Sequence, residues 1–139
     1  MKEDTNVEDL AVRISGYGDY EGYSFDCQLI PGDVEVLEVV VGGYDEIPVF
    51  LSKSESQILC IAYLWSEEEV KTETRAELIE SMMEMNIPMP LSSFSKIGDR
   101  YVVFGALSVG SAFEDILHEI TTLVENSVEA ISAFEDYLK

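Results

Sequence analysis

The apolar residues of this chain recur with two different periods, and the period predicts the type of secondary structure. Over residues 6–15 they are spaced three and four apart, which predicts a short first helix. Its N-cap is expected at Thr5 or Asn6, because either side chain can accept a hydrogen bond from a free N–H of the first helical turn.

The next block of the chain has the alternating pattern of β-strands. Pro31-Gly32 is a typical turn pair, so the first two strands are predicted to form a hairpin. Pro48 confines the third strand to a sheet edge or stands at that strand's own start, because proline has no N–H to donate to a neighbour. The fourth segment is apolar on both faces, as expected of a central, covered strand. The predicted strands are residues 23–30, 33–43, 46–52 and 56–65.

A second helix is predicted after this block. Thr74 and Glu77 have the spacing of a capping box at its start, and Asn86 with Pro88 ends it. Leu78, Ile79, Met82 and Met85 recur at helical spacing and are expected to form its buried stripe.

Two more strands are predicted around a turn at Gly98-Asp99. Ser111 and Glu114 form a second apparent capping box, and the last helix is predicted to continue to near Leu138. The element order is therefore α-β-β-β-β-α-β-β-α. It predicts a single α+β domain over residues 1–139, with an antiparallel sheet of about five to six strands, three helices and a long C-terminal helix.

The charge of the chain limits the classes of partner that it can bind. Its 28 acidic and 8 basic residues give a net charge of −20, and such a surface repels nucleic acid and anionic membranes. We therefore expect no nucleic-acid partner and no membrane insertion, whereas a basic protein partner or a cation stays open. The acidic N-terminus has no apolar segment typical of a signal peptide, so a cytoplasmic location is predicted.

Two cysteines, Cys27 and Cys60, lie in apolar, strand-like segments. They are predicted to be buried free thiols of a cytosolic protein, with a disulfide as the alternative.

Candidate catalytic residues are few. His118 is the single histidine, and three acidic residues flank it: Glu114, Asp115 and Glu119. These acids could serve a small-ligand or cation-binding domain or a weak hydrolase, but a single histidine on an amphipathic helix is usually a surface or boundary residue. No nucleophile, base and orienting group fall together, so no catalytic residue, cofactor or metal is predicted.

One stretch, Met85–Ser111, differs from the acidic rest of the chain. Its charged residues are Lys96, Asp99 and Arg100, so it is nearly free of acid. Part of it is predicted to be a buried strand, but the loop Asn86–Phe94 is both apolar and proline-rich. Such a loop is either tucked into the core or part of a protein interface. Its candidate partner-binding residues are Ile87, Met89, Leu91 and Phe94.

The same stretch carries a family resemblance. The run MNIPMPLSSFSKIGDRYVVFGALS (85–108) resembles the YjfI-like family of small, acidic, uncharacterised bacterial proteins, as do residues 46–60 and 111–134. Members of that family often accompany phage-shock-type coiled-coil proteins, so the resemblance implies a coiled-coil partner by association. In architecture alone, the element order is similar to the type III secretion chaperone fold, whose members are homodimers that bind an extended segment of a partner.

Together these patterns predict a non-enzymatic, cytosolic protein-interaction protein, chaperone-like or regulatory. A homodimer is expected because three helices are too few to cover both faces of central strands that are apolar on both faces.

Overall fold

The computed structural model describes residues 6–139 and contains three α-helices and one six-stranded sheet within that range. The predicted α+β class and the element order are both confirmed. The helices are α1 (Val7–Tyr17), α2 (Arg75–Met85) and α3 (Phe113–Ala133). The strands are β1 (Phe25–Ile30), β2 (Val36–Val41), β3 (Val49–Lys53), β4 (Gln57–Ser66), β5 (Ser93–Ile97) and β6 (Arg100–Ser108).

The sheet is antiparallel throughout, in the order β1-β2-β3-β4-β6-β5. Strands that are consecutive in the chain are neighbours in the sheet, except β4 and β5, between which β6 lies. The predicted turns at Pro31-Gly32 and Gly98-Asp99 connect adjacent strands. Pro48 immediately precedes β3, which is an interior strand, so the second of the two placements predicted for this proline is the observed one.

The core lies between one face of the sheet and the helices. α1 packs on β1 to β3, and α3 packs on β3, β4 and β6. The alternation of β2 sends Leu37, Val39 and Val41 into this core and leaves Val36 and Val40 on the other face. The helices thus cover one face of the sheet only, and the expectation that the fourth strand is covered on both sides is wrong for the described chain.

The predicted start of the first helix is confirmed, whereas the predicted caps of the other two helices are not. Asn6 caps α1, since its side-chain oxygen accepts a hydrogen bond from the Asp9 N–H at 2.8 Å; the alternative cap, Thr5, lies outside the described residues. Neither predicted capping box forms, because α2 follows a 3₁₀ turn that includes Thr74, and the N-cap of α3 is Ala112. The last helix also stops earlier than predicted, at Ala133, and a 3₁₀ turn follows at Glu135–Tyr137.

The two cysteines are free, as predicted. Cys60 on β4 is fully buried, whereas Cys27 on β1 is only half-buried. Two strands separate β1 from β4, which places the thiols too far apart for a disulfide.

Among the described helices, none combines the length and the apolar character that a membrane crossing requires.

Candidate interaction surface

The loop between α2 and β5 is held at both ends by asparagine side chains. Asn86, which follows α2, accepts a hydrogen bond at its Oδ1 from the Phe94 N–H at 2.7 Å. Asn126, buried on α3, donates from Nδ2 to the Pro90 carbonyl at 2.8 Å and to the Ser92 hydroxyl at 3.1 Å. The loop is therefore anchored to the folded body through specific polar contacts, although its side chains are mostly apolar.

The four predicted partner-binding residues do not share one environment. Ile87 is 89% exposed and Leu91 is 52% exposed, so both are presented to solvent. Met89 is half-buried against the core, and Phe94 is only 8% exposed. Phe94 packs edge-on against Phe134, with ring centroids 5.7 Å apart. Met89 and Phe94 therefore contribute to the core, whereas Ile87 and Leu91 are exposed and available for contact. Binding of a partner by any of the four stays a prediction.

Two shallow grooves open on either side of Phe94. One lies between α2 and β5, with a volume of about 170 Å³, and Ile79, Met82 and Met83 line it. The other lies between the loop and α3, with a volume of about 230 Å³, and Met85, Met89 and Glu129 are among its lining residues.

Methionine is concentrated here. Four of the five methionines of the chain line these two grooves. Unbranched thioether side chains adapt to different apolar shapes, and this is why methionine recurs at surfaces that accept variable partners. We call this region the methionine surface, and it comprises Met82, Met83, Met85, Ile87, Met89 and the groove-facing edge of Phe94.

A polar cluster borders the first groove. Glu67 accepts hydrogen bonds from Arg75 Nε at 2.8 Å, from Lys96 Nζ at 2.9 Å and from the Tyr101 hydroxyl at 2.9 Å. The hydrogen bond from Arg75 is the main reason that the pKa of Glu67 falls to about 2. Both cations at this border share one acidic partner, Glu67, so each is already engaged in an ion pair.

The acids around His118 do not form a site. His118, Glu114 and Asp115 are exposed, whereas Glu119 turns into the core and is 3% exposed. Its Oε2 has no hydrogen-bond partner in the described chain, and burial raises the pKa of its carboxyl group. Gly105 on β6 leaves the space for this carboxylate, since a Cβ there would overlap it. No group of three or more histidine, cysteine or acidic side chains within residues 6–139 is placed to hold a metal ion.

Sequence reasoning did not find several residues that build the surface. Asn126 lies 36 residues beyond Pro90, and nothing in the local pattern marks it as an anchor of the loop. Met82 and Met85 are predicted only as buried residues of the second helix, and for Met85, which is 36% exposed, that prediction is wrong. Their clustering with Met83 and Met89 was a signal that could have been used.

The fold and this surface define a small α+β protein whose sheet is covered on one side and whose apolar grooves lie at one sheet edge. The chain belongs to the bacterial family described as "Uncharacterized protein conserved in bacteria (DUF2170)", whose profile matches residues 4–138. The predicted YjfI-like family is thereby confirmed.

The names of similar proteins indicate no chemical activity. Two proteins called "Uncharacterized protein YjfI", from Escherichia coli strains K12 and O157:H7, are each 47% identical over 53 residues. The match covers 35% of this chain and 40% of each relative, so it spans less than half of their length.

A solved structure shares the fold. It is that of YbjN from E. coli, a protein proposed to be a transcription regulator, with a TM-score of 0.59 and 16% sequence identity. The match covers 79% of this chain and 82% of YbjN. At this identity the likeness concerns the fold alone.

Proposed function

We propose that this protein is a non-enzymatic interaction module, chaperone-like or regulatory, that binds an apolar segment of a partner protein at the methionine surface. The observation that carries the proposal is the clustering of four methionines in two open grooves, next to an isoleucine that is 89% exposed. A highly acidic protein gains nothing in solubility from such a patch, whereas exposed apolar grooves commonly mark binding surfaces.

The chemistry of the partner follows from the charge of the whole chain. With a net charge of −20, association is fastest with a segment whose apolar residues are flanked by lysine or arginine. A coiled-coil partner of the phage-shock type, which the family resemblance implies, fits this chemistry if its helix presents an apolar stripe with basic neighbours. Any regulation of transcription, as suggested for YbjN, would act through a protein partner here, because the acidic surface repels phosphate.

The methionine methyl groups provide a direct test. We would label them with ¹³C and titrate the protein with three peptide sets of equal length: apolar with basic flanks, apolar with acidic flanks, and polar with basic flanks. The first set is expected to shift the signals of Met82, Met83, Met85 and Met89, and raising the salt concentration should slow its association because exposed charges are screened. Comparing the binding of an amphipathic basic helix with that of an extended peptide of the same composition distinguishes a helical partner from an extended one.

Matched variants locate the binding. Met83→Ser and Ile87→Ser change side chains that are 68% and 89% exposed, so the fold should be unaffected while peptide binding weakens. Val12→Ser on α1 changes a side chain that is 74% exposed and remote in sequence, and it serves as the control. Equal binding by all three variants, or methyl shifts with none of the apolar peptides, would rule out the methionine surface as the binding site.

A further inference from the structure

The sheet face that the helices leave open is a second apolar surface, separate from the core. Its apolar side chains come from all six strands, and none of them belongs to the cluster of residues that forms the core. They are Ile30, Val36, Val40, Phe50, Leu59, Ile61, Tyr63, Ile97, Val102 and Phe104. We call this surface the open sheet face.

Most of these side chains are half-buried, although all of them lie outside the core cluster. Phe50 and Tyr63, on the two middle strands, pack edge to face with centroids 5.7 Å apart. Six strands at about 4.8 Å spacing make the face roughly 24 Å wide. With strands about 20 Å long, the projected area is on the order of 500 Å², close in scale to the roughly 800 Å² per partner of a standard interface once side-chain relief is included.

The open sheet face is poor in charge, although the chain carries −20. The register turns three charged residues to this face: Asp26 on β1, Glu38 on β2 and Arg100 on β6. The acids lie towards one side of the sheet and the arginine towards the other. The Arg100 guanidinium lies 5.0 Å from the centroid of the Tyr63 ring, and it makes no ion pair within residues 6–139. Neither acid has an ion pair in that range.

We propose that the open sheet face binds a second copy of this chain, through a twofold axis that runs parallel to the strands between β3 and β4. This axis places β1 and β2 of one copy over β5 and β6 of the other, so each Arg100 meets the acidic side of its partner. The register sets Asp26 at the level of Val102, which is two residues or about 6.6 Å along the strand from Arg100 and within reach of a long side chain. Phe50 and Tyr63 stand near the axis, where β3 of one copy lies over β4 of the other.

The alternative twofold axis, perpendicular to the strands, would stack β1 on β1 and oppose acid with acid. Charge therefore selects the first arrangement, and an isologous contact of this kind closes as a dimer without further growth. Face-to-face packing of two twisted antiparallel sheets is a common arrangement, with the sheets about 10 Å apart. The inference does not rest on the proposed function, since the methionine surface lies on the other side of β5.

Light scattering combined with size-exclusion chromatography tests the dimer on the full chain. The expected mass at tens of micromolar is twice 15.5 kDa, and a species of 15.5 kDa alone would overturn the proposal. Phe50→Asp should give a folded monomer with unchanged circular dichroism, whereas Val12→Asp on α1 should stay dimeric. A Phe50→Asp variant that remains dimeric would exclude the open sheet face.

Charge reversal tests the orientation of the two copies, and it keeps the dimer testable if Phe50→Asp fails to fold. Arg100→Asp and Asp26→Arg should each weaken the dimer by about tenfold, and the double variant should recover most of the loss. Two single variants without effect, or a double variant no better than the singles, would reject the axis. Peptide binding at the methionine surface should be unchanged in these variants, so each proposal can fail without the other.

Discussion

Replacing Phe94 by alanine should cost several kcal/mol of stability, even though Phe94 belongs to a loop-and-strand segment that resembles an interface. Its ring is 8% exposed and packs edge-on against Phe134 at 5.7 Å. Emptying a buried phenylalanine site costs about 3–5 kcal/mol. We expect the lower end, near 3 kcal/mol, because two grooves already adjoin the ring and the site can partly collapse or admit water. Ile87→Ala, at 89% exposure, should change stability by no more than about 0.5 kcal/mol.

Urea unfolding, monitored by tryptophan fluorescence, measures the difference in stability between these two variants. Trp65 is the single tryptophan of the chain, is 2% exposed, and lies 6.2 Å from Phe134 between ring centroids. Its emission therefore reports on the same aromatic cluster that Phe94 supports. Each variant should be measured at several protein concentrations, because a dimer adds a concentration-dependent part to apparent stability.

The reasoning fails if Ile87→Ala loses more stability than Phe94→Ala. A Phe94→Ala protein that loses less than about 1 kcal/mol at every concentration would mean that the ring does not support the core. If the same variant also lost peptide binding, Phe94 would be an interface residue. A large loss of stability with peptide binding retained by the remaining folded protein assigns it to the core.

Three further predictions concern titrating groups. Glu67, whose pKa the Arg75 hydrogen bond lowers to about 2, should stabilise the fold above the ordinary pKa of 4.5, and this contribution should disappear as the pH falls towards 2; Glu67→Gln should therefore be less stable than the wild type at pH 7 but not at pH 2 in urea titrations. Burial raises the pKa of Glu119, so the folded protein holds the carboxyl proton more tightly than the unfolded chain, and stability should fall as the pH rises above 4.5. The Glu119→Gln variant should gain stability relative to the wild type over that rise. A stability difference that does not change with pH would contradict the raised pKa. Burial also raises the pKa of both thiols, so a thiol reagent should label half-buried Cys27 slowly and fully buried Cys60 only on unfolding; fast labelling of both in the native protein would contradict the placement.

Hydrophobic periodicity predicted the order and type of every α-helix and strand, because each has one face that packs on a shared core. Helix ends were less predictable. Thr74 and Glu77 have the right spacing for a capping box, but Thr74 has φ −119° and ψ 10° and not the extended backbone of such a cap. The observed box, Ser66 with Glu69, lies in a segment that reads as an acidic loop.

The two surfaces show a different limit of sequence reasoning. Alternation in β2 and β4 reveals that both faces of the sheet are apolar, but it does not say which face the helices take. That choice depends on contacts distant in sequence, such as α3 on β4. In the loop no period exists, so the burial of Phe94 and the exposure of Ile87 follow from the Asn86 and Asn126 hydrogen bonds, which only the folded chain shows.

If both proposals hold, the scarcity of acid in Met85–Ser111 would follow from the position of β5 between the two proposed surfaces. The side chains of β5 alternate, so Phe94 faces the grooves while Ser95 and Ile97 belong to the open sheet face. A carboxylate on either side would therefore be desolvated when one of the two partners binds, which costs free energy unless a cation pairs with it. Burial explains the absence of acid at Phe94, Tyr101 and Val103, but not at Ser95 and Ile97, which are both exposed in the single chain. On these two proposals, the acids elsewhere would repel unspecific contacts, and the acid-poor stretch would be the part of the surface that permits association.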